Sequence, residues 1–401
     1  MGERHGLVVL AVLGLAAGCS ESKLRTGHCE RDTDCPTGQS CVLEGAATFT
    51  CAASDGGLPD GDASEVAPEC TKSDQCPAEK PICDAQTCRA CDTARSSDGA
   101  ACASRDSARP FCGPSGACVE CVSPTGADCT VNPAKPICDT ASHTCVGCAT
   151  NDQCVAKGVG PGICMSHQDG RCASDSEVIY VENKGGCASS ALTPMAGSSG
   201  TPFCGPQLAV DNVTASRRTI VVSGTVAGFQ WTPAGVQAQV SMVGRSAAVI
   251  AGGTQPGVAI AAGADLYLRG PLTIGPGPEV GISATTGAVL RITGLTVDGN
   301  KKGGVLIDGA GFDLRNTTVI GNGPGDIMGF PWGGVRIQNA TSVVPATLDG
   351  LTIRNNNPVG LSCSDAVSGT GVLATDNTSV NVATTCGITP CSPAGPTCGA
   401  P

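Results

Sequence analysis

The cysteines constrain this chain more than any other feature. Of 27 in 401 residues, 21 lie before residue 173 and only six follow. Beyond Cys19 they fall into five quartets: Cys29/35/41/51, Cys70/76/83/88, Cys91/102/112/118, Cys121/129/138/145 and Cys148/154/164/172. Three Cys-x-x-Cys pairs, Cys88/Cys91, Cys118/Cys121 and Cys145/Cys148, each join the last cysteine of one quartet to the first of the next. The string KPICD recurs at 80–84 and 135–139, at the same place in its module. The pairs therefore read as module junctions. A thioredoxin-like redox centre needs a surrounding βαβ pattern that is missing, and a zinc ribbon leaves the intervening cysteines without a use. A module of fewer than 30 residues cannot bury a sufficient apolar core, so crosslinks must replace it. Four cysteines allow three pairings, and the sequence leaves the choice open.

Such a framework needs an oxidising compartment, and the N-terminus supplies a route to one. MGERHGLVVLAVLGLAAGCS has a positive start at Arg4 and an apolar run from Leu7 to Ala17, too short to span a bilayer. Its ending, Leu15-Ala16-Ala17-Gly18-Cys19, resembles the bacterial lipobox. That resemblance implies removal of residues 1–18 and lipidation of Cys19, hence a membrane partner. Ser20 in the following position implies the outer membrane or cell surface. Ordinary signal-peptide cleavage after Gly18 is the alternative. Up to residue 175 there are 13 Lys+Arg against 23 Asp+Glu, a net of −10; afterwards 11 stand against 12, a net of −1. Neither half offers phosphate a basic patch, so nucleic acid is not an expected partner.

The first module, within 19–53, is separated from the four at 70–172 by the Gly/Pro/Asp linker SDGGLPDGDASEVAPE at 54–69. The opening spacing Cys-x5-Cys-x5-Cys resembles the cysteine-rich modules of the Dickkopf N-terminal type found in bacterial surface lipoproteins.

Beyond Ser176 the texture changes to short Val/Ile/Leu runs separated by Gly, Asn, Asp and Pro. TGLTVDGN (293–300), RNTTVIGN (315–322) and DGLTIRNN (349–356) align, and RGPLTIGPG (269–277) is an earlier copy. Their followers GGVLIDG (303–309), GGVRIQN (333–339) and VGLSCSD (359–365) align as well. The surplus in the longer interval is confined to GPGDIMGFPW at 323–332. Repeats of this period with short strands are the mark of a solenoid. Alternation points Val305, Ile307, Val335 and Ile337 inward, and Asn300, Asn322 and Asn356 fall at one turn of successive rungs, as an asparagine ladder requires. Cys363 shares the inward column of Ile307 and Ile337 and lies 23 residues, one rung, before Cys386, so these two are expected to be bonded. Cys187–Cys204 should close an N-terminal cap with a short helix near 206–215, and Cys391–Cys398 the tail at 389–401.

Residues 177–388 thus resemble the right-handed parallel β-helix superfamily, the pectate-lyase-like fold; a β-sandwich is the alternative. The expected fold is all-β, a right-handed parallel β-helix preceded by small disulfide-stapled cysteine-rich modules. The resemblance raises polysaccharide lyase or hydrolase activity, but His5, His28, His143 and His167 all precede the β-helix, and a Gly-His-Gly stretch with clustered aspartates is absent. Asp298, Ile320 and Arg354 should share an outward column with the charges two rungs apart, and Asp308, Asp313 and Asp349 read as turn and surface residues. No catalytic residue, metal or cofactor is assigned. GFQWTPAGV (228–236) and GFPWGGV (329–335) place Phe229, Trp231, Phe330 and Trp332 alike, with Asp326 beside the second pair. Trp231, Trp332, Phe330 and Asp326 are the candidate ligand-binding residues, the tryptophans being expected at the surface. The expected function is a surface lipoprotein whose β-helix binds glycans or another surface component on a cysteine-rich stalk. The alternatives are an enzyme with an atypical site and a structural protein without a ligand.

Overall fold

The computed structural model describes residues 39–43, 49–53, 68–124, 127–130, 132–166, 169–233, 239–327, 329–339 and 345–388. The chain forms two compact units, divided after Pro68. In the first, Gln39–Leu43 pairs antiparallel with Phe49–Ala53, setting Cys41 opposite Cys51. Cys29 and Cys35, the lipobox with Cys19, most of the acidic linker and the Cys391–Cys398 pair lie outside the described residues.

Four cysteine-rich modules open the second unit, and each makes the same choice among the three pairings. The bonds are Cys70–Cys83 with Cys76–Cys88, Cys91–Cys112 with Cys102–Cys118, Cys121–Cys138 with Cys129–Cys145, and Cys148–Cys164 with Cys154–Cys172. First pairs with third and second with fourth throughout. The reason is a small hairpin that sets the third and fourth cysteines directly opposite each other, as Cys83 faces Cys88 and Cys138 faces Cys145. Opposed residues point to one face of a hairpin, so both sulfurs meet the first two cysteines there. In every Cys-x-x-Cys the two members belong to different modules, as the junction reading requires. The close sulfur triads Cys70/76/83, Cys121/129/145 and Cys148/154/172 consist of disulfide sulfurs.

Adjacent modules are pegged through their helices. Ser96–Arg105 carries Cys102, and Arg105 three residues on donates to the carbonyls of Ser73 and Pro77 in the preceding module, both at 3.2 Å. Asn151–Lys157 carries Cys154, and Lys157 donates to Cys129 O at 2.7 Å and Pro136 O at 2.9 Å. At the first junction Arg89 clamps the buried Asp98 with both Nη atoms, at 2.6 and 2.9 Å.

From Val178 the chain winds a parallel β-solenoid of about six rungs. Its first face stacks Val178–Glu182, the N-terminal halves of Thr219–Ala227, Val240–Ala251, Asp265–Ile274 and Val289–Asp298, then Gly311–Arg315, Ala346–Asp349 and Ser368–Thr370. The register shifts within the long strands turn their second halves onto a second face, continued by Thr318–Ile320, Thr352–Arg354 and Leu373–Thr375. The third face runs in strict chain order from Phe229–Trp231 to Val380–Val382.

Inward columns are aliphatic and almost fully buried: Val305, Val335 and Leu361 stack in one, Ile307, Ile337 and Cys363 in the next. Asn300, Asn322 and Asn356 form the expected ladder, Nδ2 to Oδ1, at 2.9 and 3.0 Å. The ladder continues through Asn377 to Asn381, at 3.0 and 2.9 Å. The Cys187–Cys204 and Cys363–Cys386 bonds are both present. Helix Pro206–Asp211, shorter than expected, turns Pro206, Ala209 and Val210 onto the N-terminal end of the core. The surplus loop folds as a hairpin, Gly325–Ile327 against Phe330–Trp332.

The two tryptophans correct the sequence reading. Trp231 is 3 % exposed and lies inside the solenoid with Phe229. Trp332 is 1 % exposed, folded over Gly303, whose φ of +113° and missing Cβ leave room for the indole. A chain with 2 % aromatic residues has few side chains large enough to plug such gaps, and it uses its tryptophans there. The last cysteine-rich module is seated on the solenoid: Ile163, Met165 and Ala173 form an apolar cluster with Val178, Tyr180, Val221 and Val243 on the outside of the first face.

Candidate functional site

Where that module ends, the first face becomes polar. Two outward columns run along it in register. One is Ser241, Tyr267, Arg291, Asp313, Thr347 and Ser368; the other is Val243, Arg269, Thr293, Arg315, Asp349 and Thr370. At roughly 4.8 Å per rung, the polar stretch from Arg269 to Thr370 covers about 19 Å. The inward partners that fix these side chains outside are Leu266, Leu268, Leu290, Ile292, Phe312, Leu314 and Leu348, all buried.

The surface is a lattice of paired charges and hydroxyls. Arg291 bridges to Asp265 at 3.2 Å, and Arg315 to Asp313 at 2.8 Å. Thr347 Oγ1 donates to Asp313 at 2.7 Å, and Thr370 Oγ1 to Asp349 at 2.9 Å. The Tyr267 hydroxyl donates to Thr293 Oγ1 at 3.1 Å. Burial pushes the Asp313 carboxyl upward, but the hydrogen bonds from Arg315 and Thr347 outweigh it and hold it below the usual range. A general acid needs the opposite shift, and these carboxylates already accept donors. The lattice suits recognition of a hydroxylated, charged ligand better than proton transfer.

Clefts open at both ends. One, of about 240 Å³, is lined by Arg315, Thr347, Asp349, Ser368 and Thr370. The other, of about 290 Å³, lies between the last module and the first face, with Tyr267, Arg269 and Thr293 on one side and Thr150, Asn151 and Ser166 on the other.

The residues singled out from sequence are not brought together here. Trp231 and Trp332 are both buried, Trp231 on the first strand of the third face and Trp332 on the separate hairpin. Asp326 is exposed and accepts the Gly329 N–H at 2.8 Å, closing the hairpin turn. The Phe330 side chain lies outside the described residues. Asp298, Ile320 and Arg354 do share one outward column, on the second face. The first-face columns were missed although a signal existed: LYLRG (266–270), LRITG (290–294), FDLRN (312–316) and TLDG (347–350) precede the four aligned strands with outward charges in register.

Fold and surface together define an all-β chain in which a parallel β-solenoid adjoins disulfide-stapled cysteine-rich modules. Residues 56–176, the linker and the four modules, match a family of unknown function (DUF8331). No curated protein and no solved structure matches the chain.

Proposed function

We propose that the chain is an exported surface lipoprotein that binds an extended glycan or another polyhydroxylated surface component along the first face of its β-solenoid. The observation that carries this reading is the register of charged and hydroxyl side chains along that face from Arg269 to Thr370. A repeating polymer fits a repeating surface, and mixed donors and acceptors with a tyrosine edge suit sugar hydroxyls. The lipobox-like ending at Cys19 supports an anchor, and the disulfide framework supports an oxidising compartment. Cysteine-rich modules of the Dickkopf N-terminal type at 29–172 fit the same setting. Among the described residues no helix is long and apolar enough to cross a membrane. In this reading the modules present the solenoid and also wall one end of its binding surface.

Two experiments test it. Cys19→Ala should move the protein from the membrane to the soluble fraction; retention in the membrane fraction contradicts the anchor. On a glycan array, the full chain should bind a defined set of glycans, and Arg291→Ala with Arg315→Ala should weaken binding at least about tenfold. Equal binding by wild type and the double variant contradicts the first-face assignment.

A further inference from the structure

Three arginines stand on the two outward columns of the first face, and two of them have carboxylate partners. Arg269 has none among the described residues. It is 7 % exposed, donates one hydrogen bond from Nη1 to Cys164 O at 2.5 Å, and lies 5.6 Å from the centre of the Tyr267 ring. A guanidinium carries five N–H donors in a fixed plane, and burying its charge without a counter-charge is costly. Arg269 lines the 290 Å³ cleft between the last module and the first face. That volume is near the lower end of roughly 300–1,000 Å³ for small-ligand sites. Around Arg269 the walls carry the hydroxyls of Thr150, Ser166 and Thr293, the Asn151 amide and the Tyr267 ring, with the exposed Asp152 at the rim.

We infer that this cleft is a carboxylate-binding subsite that takes an acidic sugar, with Arg269 meeting the carboxylate and the surrounding hydroxyl and amide groups meeting the ring hydroxyls. The planar fork of arginine matches a carboxylate in bidentate fashion. Asp152 accepts hydrogen bonds from sugar hydroxyls and disfavours ligands of higher negative charge, so a singly charged acid fits better than phosphate. Thr293 lines the cleft and pairs in register with Arg315 on the next rung, so a sugar seated there lies at the start of the polar columns. This inference rests on the first-face reading and names the chemistry of its first subsite. The subsite is composite: neither the modules nor the solenoid provides it alone.

The test is calorimetric titration of the full chain with D-glucuronate, D-glucose and inorganic phosphate. Glucuronate should bind at least about tenfold more tightly than glucose or phosphate. Arg269→Met should abolish that binding, and Arg269→Lys should retain part of it. Because Arg269 also holds Cys164 O, loss of folding in the methionine variant is tested around with Ser166→Ala at the exposed cleft wall, which should weaken glucuronate while leaving the thermal midpoint unchanged. Absence of glucuronate binding, equal binding of glucose, tighter binding of phosphate, or unaltered binding in well-folded Arg269→Met overturns the inference. If glucuronate fails while Arg291→Ala with Arg315→Ala still loses array binding, the subsite falls and the first-face reading stands.

Discussion

Asp98 shows how one residue ties a module junction to pH. The hydrogen bonds from Arg89 lower its carboxyl to about 2 from an ordinary 3.8, burial opposes them, and the Asp92 N–H adds to the lowering. A carboxyl depressed in the folded state contributes stability that is fully present above its unfolded value and is lost as pH falls through the folded one. The cysteine-rich region should therefore keep its thermal midpoint down to about pH 4 and lose stability from there toward pH 2. Asp98→Asn should flatten that part of the profile, and an unchanged acid limb contradicts the assignment. The tryptophans make a second prediction at this scale. Trp231→Ala removes a buried indole from the end of the core and should cost about 3–5 kcal/mol in chemical denaturation, with glycan binding by the folded fraction unaltered. A loss of binding at unchanged stability would restore Trp231 as a contact residue.

At the scale of elements, the ladder and the last rung carry the argument. Asn322 accepts the Asn300 N–H and side-chain amide and donates to Val297 O, Ile320 O and Asn356 Oδ1, so one alanine takes a hydrogen-bond partner from five groups. Asn322→Ala should cost about 2 kcal/mol or more and speed amide exchange in the neighbouring rungs; exchange unchanged from wild type would mean that the ladder is incidental. Removing the Cys363–Cys386 bond with paired serines should cost roughly 2–4 kcal/mol. Amide exchange should then rise in 359–386 and leave the N-terminal rungs unaffected, because a solenoid rung contacts only its neighbours. Much of this was legible in the sequence. Period and alternation identify which side chains turn inward, and a stacking amide marks its turn by recurring. Asn377 and Asn381 escaped because their segments lack the Thr-(Ile/Val) pair that anchors the alignment. The first-face columns escaped for a related reason: outward polar residues are expected of any strand, so only the register of successive strands sets them apart.

At the scale of the whole molecule, the sequence suggests a boundary near residue 175, and composition does change there. The structure nevertheless joins the two sides, because Val221 and Val243 point outward and need cover. No periodicity rule reveals this: the same alternation that places Ile220 and Val222 inside puts Val221 outside, and only the neighbouring module explains an apolar residue there. Arg245 adds a hydrogen bond to Pro161 O at 2.6 Å across the same contact. Indole burial was equally hidden, since the loop strings GFQW and GFPW read as exposed wherever their partners, the core under the cap helix and Gly303, are unknown. The central claim is that ligand lies along the first face, starting beside the last module. Hydroxyl-radical footprinting of the full chain with a bound glycan from the array tests it most directly. The account predicts protection of Tyr267, Arg291, Arg315, Thr347 and Thr370 with little change elsewhere. Protection confined to the third face or to the 325–332 hairpin, with the first face as reactive as in the free protein, would contradict it.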